Sequence, residues 1–360
     1  MLRFLRARKG VAASVFKYIF AVVAGAIILI FFVRFAMDMT DTQKSVSNAE
    51  LGFMIDESLN ALTVSEDQSE PIPGDPWPSP VMLSFGKGPT CGKLSSGSYN
   101  FNIHKVVFSP LKIDGNQIFA WTQSWYYPFE VDNFFYLSNK NSKYYLVYPS
   151  GEVADFVRGL DSQVTPAERH NEHFPKSFEV ESISSDQVNA RLAYASGKYS
   201  FVKFAFFKTN PPLGFKGNYV VIDYVDCEPD RDDDDCHGSL TFSSGKSFFA
   251  GKPMLYGAVL AEDFESYQCQ LGRIYKRLGI ILSLYSEKAD LLYDKDMLDF
   301  FNDCSYDLIK SANLDAFNLE VDSAKGNPSY GNHVRFDFFK DIIVESNNKL
   351  GGKSACTILF

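Results

Sequence analysis

Residues 18–33 read YIFAVVAGAIILIFFV, sixteen positions without a charged side chain. In the wider segment 11–37, only Lys17 and Arg34 are charged, and they lie near the two ends of the apolar run. An α-helix rises 1.5 Å per residue, so about 20 residues cross the roughly 30 Å hydrocarbon layer of a bilayer. We therefore predict a transmembrane helix over residues 11–37 whose partner is the lipid bilayer. A buried core helix is the alternative.

The segment could instead be a signal peptide that is removed. Ordinary signal peptides have a shorter apolar region and a small-residue cleavage site. Here the run is longer, and residues 34–37, Arg-Phe-Ala-Met, do not form such a site. We expect the helix to be retained as an anchor.

The charges around the segment predict its orientation. Residues 1–10 contain Arg3, Arg6, Arg8 and Lys9, whereas the other side carries Arg34 and soon becomes acidic. The positive-inside rule then places residues 1–10 in the cytoplasm, as a basic leader, and the body outside the cytoplasm, on a cell membrane.

The body is acidic. Residues 38–360 hold 29 of the 35 Lys and Arg residues and all 44 Asp and Glu residues, a formal charge of −15. Such a surface repels nucleic acid at long range, and the sequence has no basic stripe or RNA-binding signature. We expect no nucleic-acid partner.

Apolar residues continue beyond the membrane segment with a helical period. They recur mostly at intervals of three or four residues within 38–63, which predicts an amphipathic stem helix. The positions are Val46, Leu51, Met54, Ile55, Leu59 and Leu62.

The first residues add a resemblance. Residues 6–10 read RARKG and are followed by the apolar residues 11–16, VAASVF. This start, together with a helix that is apolar all round and then one-sided, resembles type IV pilins and archaeal pilin-like proteins. The resemblance implies peptidase cleavage between Gly10 and Val11 and a role at the cell surface. The sequence departs from the family at Val15, where many pilins carry Glu, and an ordinary signal-anchor is the alternative.

The body begins after a proline-rich linker. Residues 64–80 include five prolines within ten positions, which exclude helix and central strand there. The globular domain then spans 81–360, strand-rich over 81–258 and mainly helical over 259–360. Runs rich in Tyr, Phe, Val and Ile predict the strands. They lie at 81–85, 99–108, 117–125, 133–137, 144–148, 177–182, 199–207, 218–225, 239–243 and 253–258.

Helical periodicity predicts a long helix over 260–294 and another over 333–350, with a second helix between them carrying Met297, Phe301, Cys304 and Leu308 on one face. A helix over 151–160, capped by Ser150, follows one strand, so part of the sheet should be parallel or mixed. A short strand is predicted at 355–360. The fold class is thus α+β or mixed α/β, with an N-terminal transmembrane stem helix.

All six cysteines follow the membrane segment, on the predicted extracytoplasmic side, where disulfides persist. Cys227 and Cys236 bracket a short loop between two predicted strands, so we predict a disulfide between them. The other four, Cys91, Cys269, Cys304 and Cys356, allow three pairings, and the sequence does not choose among them.

Three groups of residues are candidate sites. Asp232, Asp233, Asp234 and Asp235 lie in an acidic loop whose carboxylates could bind calcium, although a solvated loop without an EF-hand pattern is the alternative. His170 and His173 lie in a polar stretch. They are either a catalytic or metal-binding pair or part of a surface loop. The aromatic residues Trp121, Trp125, Tyr126 and Tyr127 form either a sugar-stacking platform or part of the core.

No catalytic residue is predicted, because the sequence has no GxSxG, Walker A, GxGxxG or HExxH motif. No cofactor is expected either. The leading hypothesis is a membrane-anchored extracytoplasmic protein with a structural or interaction role and with protein partners in the membrane or envelope. The alternatives are an anchored hydrolase-type enzyme and a ligand-binding ectodomain.

Overall fold

The computed structural model describes residues 4–63, 69–72, 81–96, 99–115, 117–149, 151–161, 174–227, 236–298, 304, 306–309, 313–324, 330–352 and 356–360. The chain divides into two compact units. One consists of residues 1–53 with 97–99, and the other of residues 54–96 and 100–360.

The predicted transmembrane and stem segments form a single helix, α1 (Phe4–Leu62). Residues Tyr18–Phe35 of α1 are long and apolar enough to cross a membrane or to serve as a signal sequence. Their described side chains are largely exposed. In its last turns, by contrast, Ile55, Leu59 and Leu62 are buried, so α1 changes from an exposed apolar helix to a one-sided one.

Two four-stranded sheets follow. Sheet A has the strand order β1-β7-β8-β5, and sheet B has the order β4-β3-β2-β6. In sheet A, β5 is parallel to β8 and the other pairs are antiparallel. The strands are β1 (Ser69–Pro71), β2 (Val81–Phe85), β3 (Lys93–Ser96), β4 (Tyr99–Asn102), β5 (Val106–Phe108), β6 (Lys112–Gly115), β7 (Phe119–Tyr126) and β8 (Glu130–Ser138).

Part of the predicted linker belongs to sheet A. β1 is its edge strand, and the backbone N–H of Ile72 donates to the carbonyl of Ile118. Pro71 is tolerated there because an edge strand leaves one side of its backbone unpaired. The other linker residues, 64–68 and 73–80, lie outside the described residues.

Sheet C has six strands in the order β10-β9-β11-β12-β13-β14. Its first four strands are parallel, and the last two pairings are antiparallel. The strands are β9 (Ser142–Tyr148), β10 (Val180–Ser184), β11 (Phe201–Phe207), β12 (Asn218–Val225), β13 (His237–Phe242) and β14 (Gly245–Ala250). The helices α2 (Glu152–Gly159) and α3 (Val188–Ala195) connect the parallel strands. The predicted mixed α/β class is therefore confirmed.

The strand predicted at 253–258 is wrong. These residues belong to α4 (Lys252–Leu260), every residue of which is buried. α4 packs against strands of both sheet A and sheet C, so after Lys252 its side chains are apolar on all faces and show no helical period. The better signal was Gly251 followed by Pro253, because proline in the first turn of a helix lacks only a donor that would be unpaired there.

The C-terminal region is helical, as predicted. It contains α5 (Phe264–Leu298), α6 (Tyr306–Ile309), α7 (Asp315–Ala324) and α8 (Tyr330–Gly351). The helix predicted through Cys304 is wrong at that residue, which lies in no regular element, and Phe301 is outside the described residues.

The strand predicted at the C-terminal end is also wrong, because residues 356–360 form no ladder. Their backbone instead bonds to side chains. The N–H of Leu359 donates to Asn347 Oδ1 (2.7 Å), and the N–H of Thr357 donates to the Tyr306 hydroxyl (2.7 Å). Asn347 and Tyr306 thus accept hydrogen bonds that a neighbouring strand would otherwise accept.

The main core contains residues of sheets A and C and of α4 and α5, and both helices pack against strands of the two sheets. A smaller cluster on the opposite face of sheet C contains Tyr145, Phe204 and Phe206. The sequence did not predict β3, β6, β14, α3 or α7, and it merged β4 with β5. These elements are short and carry Ser, Lys, Asp, Asn and Gly among their apolar residues.

Candidate functional site

The aromatic candidates belong mainly to the core. Trp121, Trp125 and Tyr127 are almost fully buried, and Tyr126 is 39% exposed. The indole N–H of Trp125 donates to the carbonyl of Ala250 (2.8 Å), and the Tyr127 hydroxyl donates to the Asp337 carboxylate. Three of the four residues are therefore too buried to stack against a sugar. They pack in the core and make polar contacts there.

The two polar candidates lie outside the described residues: the loop with Asp232, Asp233, Asp234 and Asp235, and the pair His170 and His173. Within the described part of the chain, no group of three His, Cys, Asp or Glu side chains is placed to hold a metal ion. The cleavage candidates Gly10 and Val11 lie inside α1.

The cysteines form three disulfides. Cys227 pairs with Cys236, as the loop spacing predicts. Of the three open pairings of the others, the structure has Cys91–Cys269 and Cys304–Cys356. Cys91–Cys269 ties the segment between β2 and β3 to α5, and Cys304–Cys356 ties the region before α6 to the C-terminal segment. No cysteine is left free. Stable disulfides of this kind are typical of extracellular domains.

One polar arrangement lies where the last turn of α1 meets the body. Lys105, just before β5, lies over the ring of Phe135 on β8, with its ammonium 5.1 Å from the ring centroid. The same ammonium donates to the hydroxyl of Thr63, one residue after α1 (3.4 Å). Lys105 thus links the end of α1 to sheet A.

Next to Lys105 lies a partly buried ion pair. The Arg277 guanidinium on α5 contacts one carboxylate oxygen of Asp132 on β8 and also donates to the carbonyl of His104. The neighbouring Arg273 donates to the carbonyl of Ile103. These contacts bring α5, β8 and the segment before β5 together. We refer to Lys105, Asp132 and Arg277 as the junction cluster.

Burial dominates the electrostatics of the junction cluster. It raises the pKa of Asp132, an effect that the nearby Arg277 opposes. Burial also lowers the pKa of Lys105, whereas the carboxylates of Asp56 and Asp132 act to raise it. The second oxygen of Asp132 has no hydrogen-bond partner among the described residues. Through the contact of Lys105 with Thr63, the cluster attaches the end of α1 to the body.

A second polar group lies in the main core. Lys203, in the middle of β11, is 1% exposed, and its amine donates to the carbonyls of Ala258 (2.7 Å) and Ala261 at the end of α4. Burial lowers its pKa to about 7, although the carboxylates of Asp263 and Glu262 act in the opposite direction. Lys203 satisfies carbonyls that the end of a buried helix would leave unpaired.

Sequence reasoning did not single out these residues. Lys203 carried a signal, because it interrupts the apolar run FVKFAFF of residues 201–207. Asp132, Arg277 and Lys105 carried none, because they come from separate parts of the chain. Comparison with protein families, with curated proteins and with solved structures finds no match to this chain.

Proposed function

We propose that this chain is a membrane-anchored extracytoplasmic protein with a structural or interaction role. The observation that carries the proposal is α1, one continuous helix that is apolar and exposed over Tyr18–Phe35 and buried on one side at Ile55, Leu59 and Leu62. An exposed apolar helix of that length is stable only in a nonpolar environment. Its last turns are part of the globular domain, so a single element joins the two environments.

Two further observations support the extracytoplasmic location of the domain. The three disulfides would be reduced in an ordinary cytoplasm. The basic residues before the apolar segment favour a cytoplasmic start of the chain. We therefore propose both the membrane anchor and an orientation with the basic residues in the cytoplasm and the domain outside it.

The finer form of the proposal is a pilin-like surface component. It is supported by the RARKG leader before an apolar helix and by the layout of α1, with its apolar first part and one-sided last turns. In this form, Gly10–Val11 is the cleavage site, and the mature chain starts at Val11.

The test is the intact mass and N-terminal sequence of the chain purified from the membrane and soluble fractions of native cells, with and without reduction. We expect a membrane-bound chain that starts at Val11 and has no thiol to alkylate before reduction. A membrane-bound chain that still contains residues 1–10 would refute the pilin-like form but leave the anchor. A soluble chain that lacks the segment Tyr18–Phe35 would refute the anchor itself.

A variant designed to prevent membrane insertion tests the anchor directly. Replacing Ile28 and Leu29 with Asp places two carboxylates near the middle of the apolar segment, each costing about 2.5–3.5 kcal/mol in insertion. The chain should then shift from the membrane pellet to the supernatant after alkaline extraction. The same two Asp residues introduced at Leu213 and Tyr194, which are exposed on the body, should leave it in the pellet.

A further inference from the structure

The long helix α5 carries an exposed apolar stripe. Ile280, Leu284 and Leu291 are 55%, 58% and 72% exposed. With Glu287 between them, they recur at steps of four, three and four residues, the spacing that keeps side chains on one face of a helix and lines the seam of a coiled coil. We call these four residues the α5 stripe.

The α5 stripe lies between two intramolecular contacts of α5. On one side, Asn318 of α7 donates to the hydroxyl of Ser283 (3.1 Å), and Ser286 donates to Asp315 (2.7 Å). On the other side, Lys288 donates to the carbonyl of Leu359 (2.5 Å). α7 and the C-terminal segment therefore flank the stripe and leave its apolar side chains facing solvent.

The charges at the two ends of the stripe differ in sign. Lys276, one turn before Ile280, and Asp294, one turn after Leu291, are both exposed. Near the first end, residues 272–279 contain Arg273, Lys276 and Arg277 and no acid. Near the other end, residues 287–296 contain four acids and two lysines. Because Arg277 pairs with Asp132 and Arg273 donates to the carbonyl of Ile103, Lys276 is the exposed positive charge before the stripe, whereas the residues towards its end are mainly acidic.

We propose that the α5 stripe is a self-association surface, which pairs with the α5 stripe of a second copy of this chain in the antiparallel direction. A twofold axis near residues 285 and 286 would place Ile280 opposite Leu291 of the second copy and Leu284 opposite its Glu287. The same axis places Lys276 beside Asp294 of the second copy at both ends. Such an interface is self-complementary, as the twofold symmetry of homodimers requires.

The charge polarity selects this arrangement over a parallel one. In a parallel pair, each lysine would face a lysine and each aspartate an aspartate, so like charges would oppose each other. The antiparallel pair brings opposite charges together at both ends. The contact extends over about five helical turns, so it is smaller than a standard protein interface and the dimer should be weak.

The test measures the dimerisation of the full chain by sedimentation equilibrium in density-matched detergent. Lys276→Glu and Asp294→Lys should each weaken dimerisation about tenfold, because each change turns two attractive pairs into repulsive ones. The variant that combines both changes should dimerise like the wild type. An equimolar mixture of the two single variants should do the same, because each variant then meets its opposite charge.

Lys112→Glu is the matched control, since Lys112 is an exposed lysine on β6, and it should leave dimerisation unchanged. A wild-type chain that stays monomeric would overturn the proposal. If the chain dimerises through α1 alone, Lys276→Glu will leave dimerisation unchanged. That result would also overturn the proposal. Failure of the combined variant to recover would rule out the antiparallel pairing.

A gain-of-association variant tests the apolar part of the surface. Glu287→Leu makes all four residues of the α5 stripe apolar. It should tighten the dimer at least about tenfold, because each copy would bury an additional leucine. Glu345→Leu, which removes an exposed carboxylate from α8 instead, should have no effect. If Glu287→Leu leaves the dissociation constant unchanged, the stripe is not at the contact.

Discussion

At the scale of single residues, Lys203 is a lysine buried in the core. A lysine is rarely buried without a carboxylate partner, because its charged form loses hydration. Here the amine is held by two main-chain carbonyls at the end of α4, where the partial negative charge of the helix favours a cation. The hydrogen bonds keep the amine in the core, and burial makes its charge costly.

This balance predicts a pH dependence of stability. Because the pKa of Lys203 falls to about 7 from an ordinary value of 10.5, the unfolded chain binds a proton there that the folded chain lacks between these pH values. The free energy of unfolding should therefore rise with pH across this window, and this contribution is lost as the pH falls towards 7. Between about pH 7 and pH 9 the gain is roughly 2 kcal/mol.

The measurement is urea unfolding of the wild type and of Lys203→Met over that pH range. Other groups titrate in both chains, so the difference between the two curves isolates Lys203. We expect the free energy of unfolding of the wild type, minus that of Lys203→Met, to increase as the pH rises. Parallel curves would show that Lys203 keeps an ordinary pKa in the fold.

At the scale of elements, α1 combines two kinds of helix in one. Its apolar segment has no packing requirement beyond a nonpolar surrounding, whereas its last turns must match the shape of the body. Ile55, Leu59 and Leu62 lie at steps of four and three residues, which places them on one face. The junction cluster then adds a polar contact at the end of the same helix.

The buried face of α1 should therefore contribute to the stability of the body. Leu59→Ala removes a fully buried side chain and should lower the free energy of unfolding by about 2–5 kcal/mol. Phe53→Ala removes a larger side chain that is 70% exposed, and it should change stability by less than about 0.5 kcal/mol. Urea unfolding of the detergent-solubilised chain, followed by near-ultraviolet circular dichroism, measures both. Equal effects would mean that α1 is not part of the folded domain.

At the scale of the whole domain, the disulfides differ in how much of the chain they constrain. Cys91–Cys269 joins residues 178 positions apart, whereas Cys227–Cys236 joins residues 9 positions apart. The longer cross-link encloses β3 to β14 and ends on α5. In the chain-entropy account, a cross-link restricts the unfolded chain more as its loop grows.

Replacing Cys91 and Cys269 with Ala should therefore cost more stability than replacing Cys227 and Cys236. The expected difference is about 2.7 kcal/mol, because the entropy term depends on the logarithm of the loop length. Urea unfolding of the two double variants measures it directly. A larger loss from the Cys227–Cys236 pair would show that native-state contacts, and not the unfolded chain, dominate the effect.

The sequence alone determined the features that depend on neighbouring residues. The run at residues 18–33 indicated the apolar helix, and the three-to-four-residue spacing of Ile55, Leu59 and Leu62 indicated the buried face of α1. The loop between Cys227 and Cys236 indicated their disulfide. Each of these signals lies within one helix or one hairpin, where the geometry of the backbone sets the distances.

Only the tertiary structure decided the rest. It paired Cys91 with Cys269, made α4 a helix, directed Lys203 to the end of α4 and brought Asp132 to Arg277. The segment at 253–258 reads as a strand because a helix buried on all sides has no polar face to reveal its period. The cysteine and ion pairs join residues far apart in the chain, and their proximity arises from the packing of sheets and helices, which no local pattern specifies.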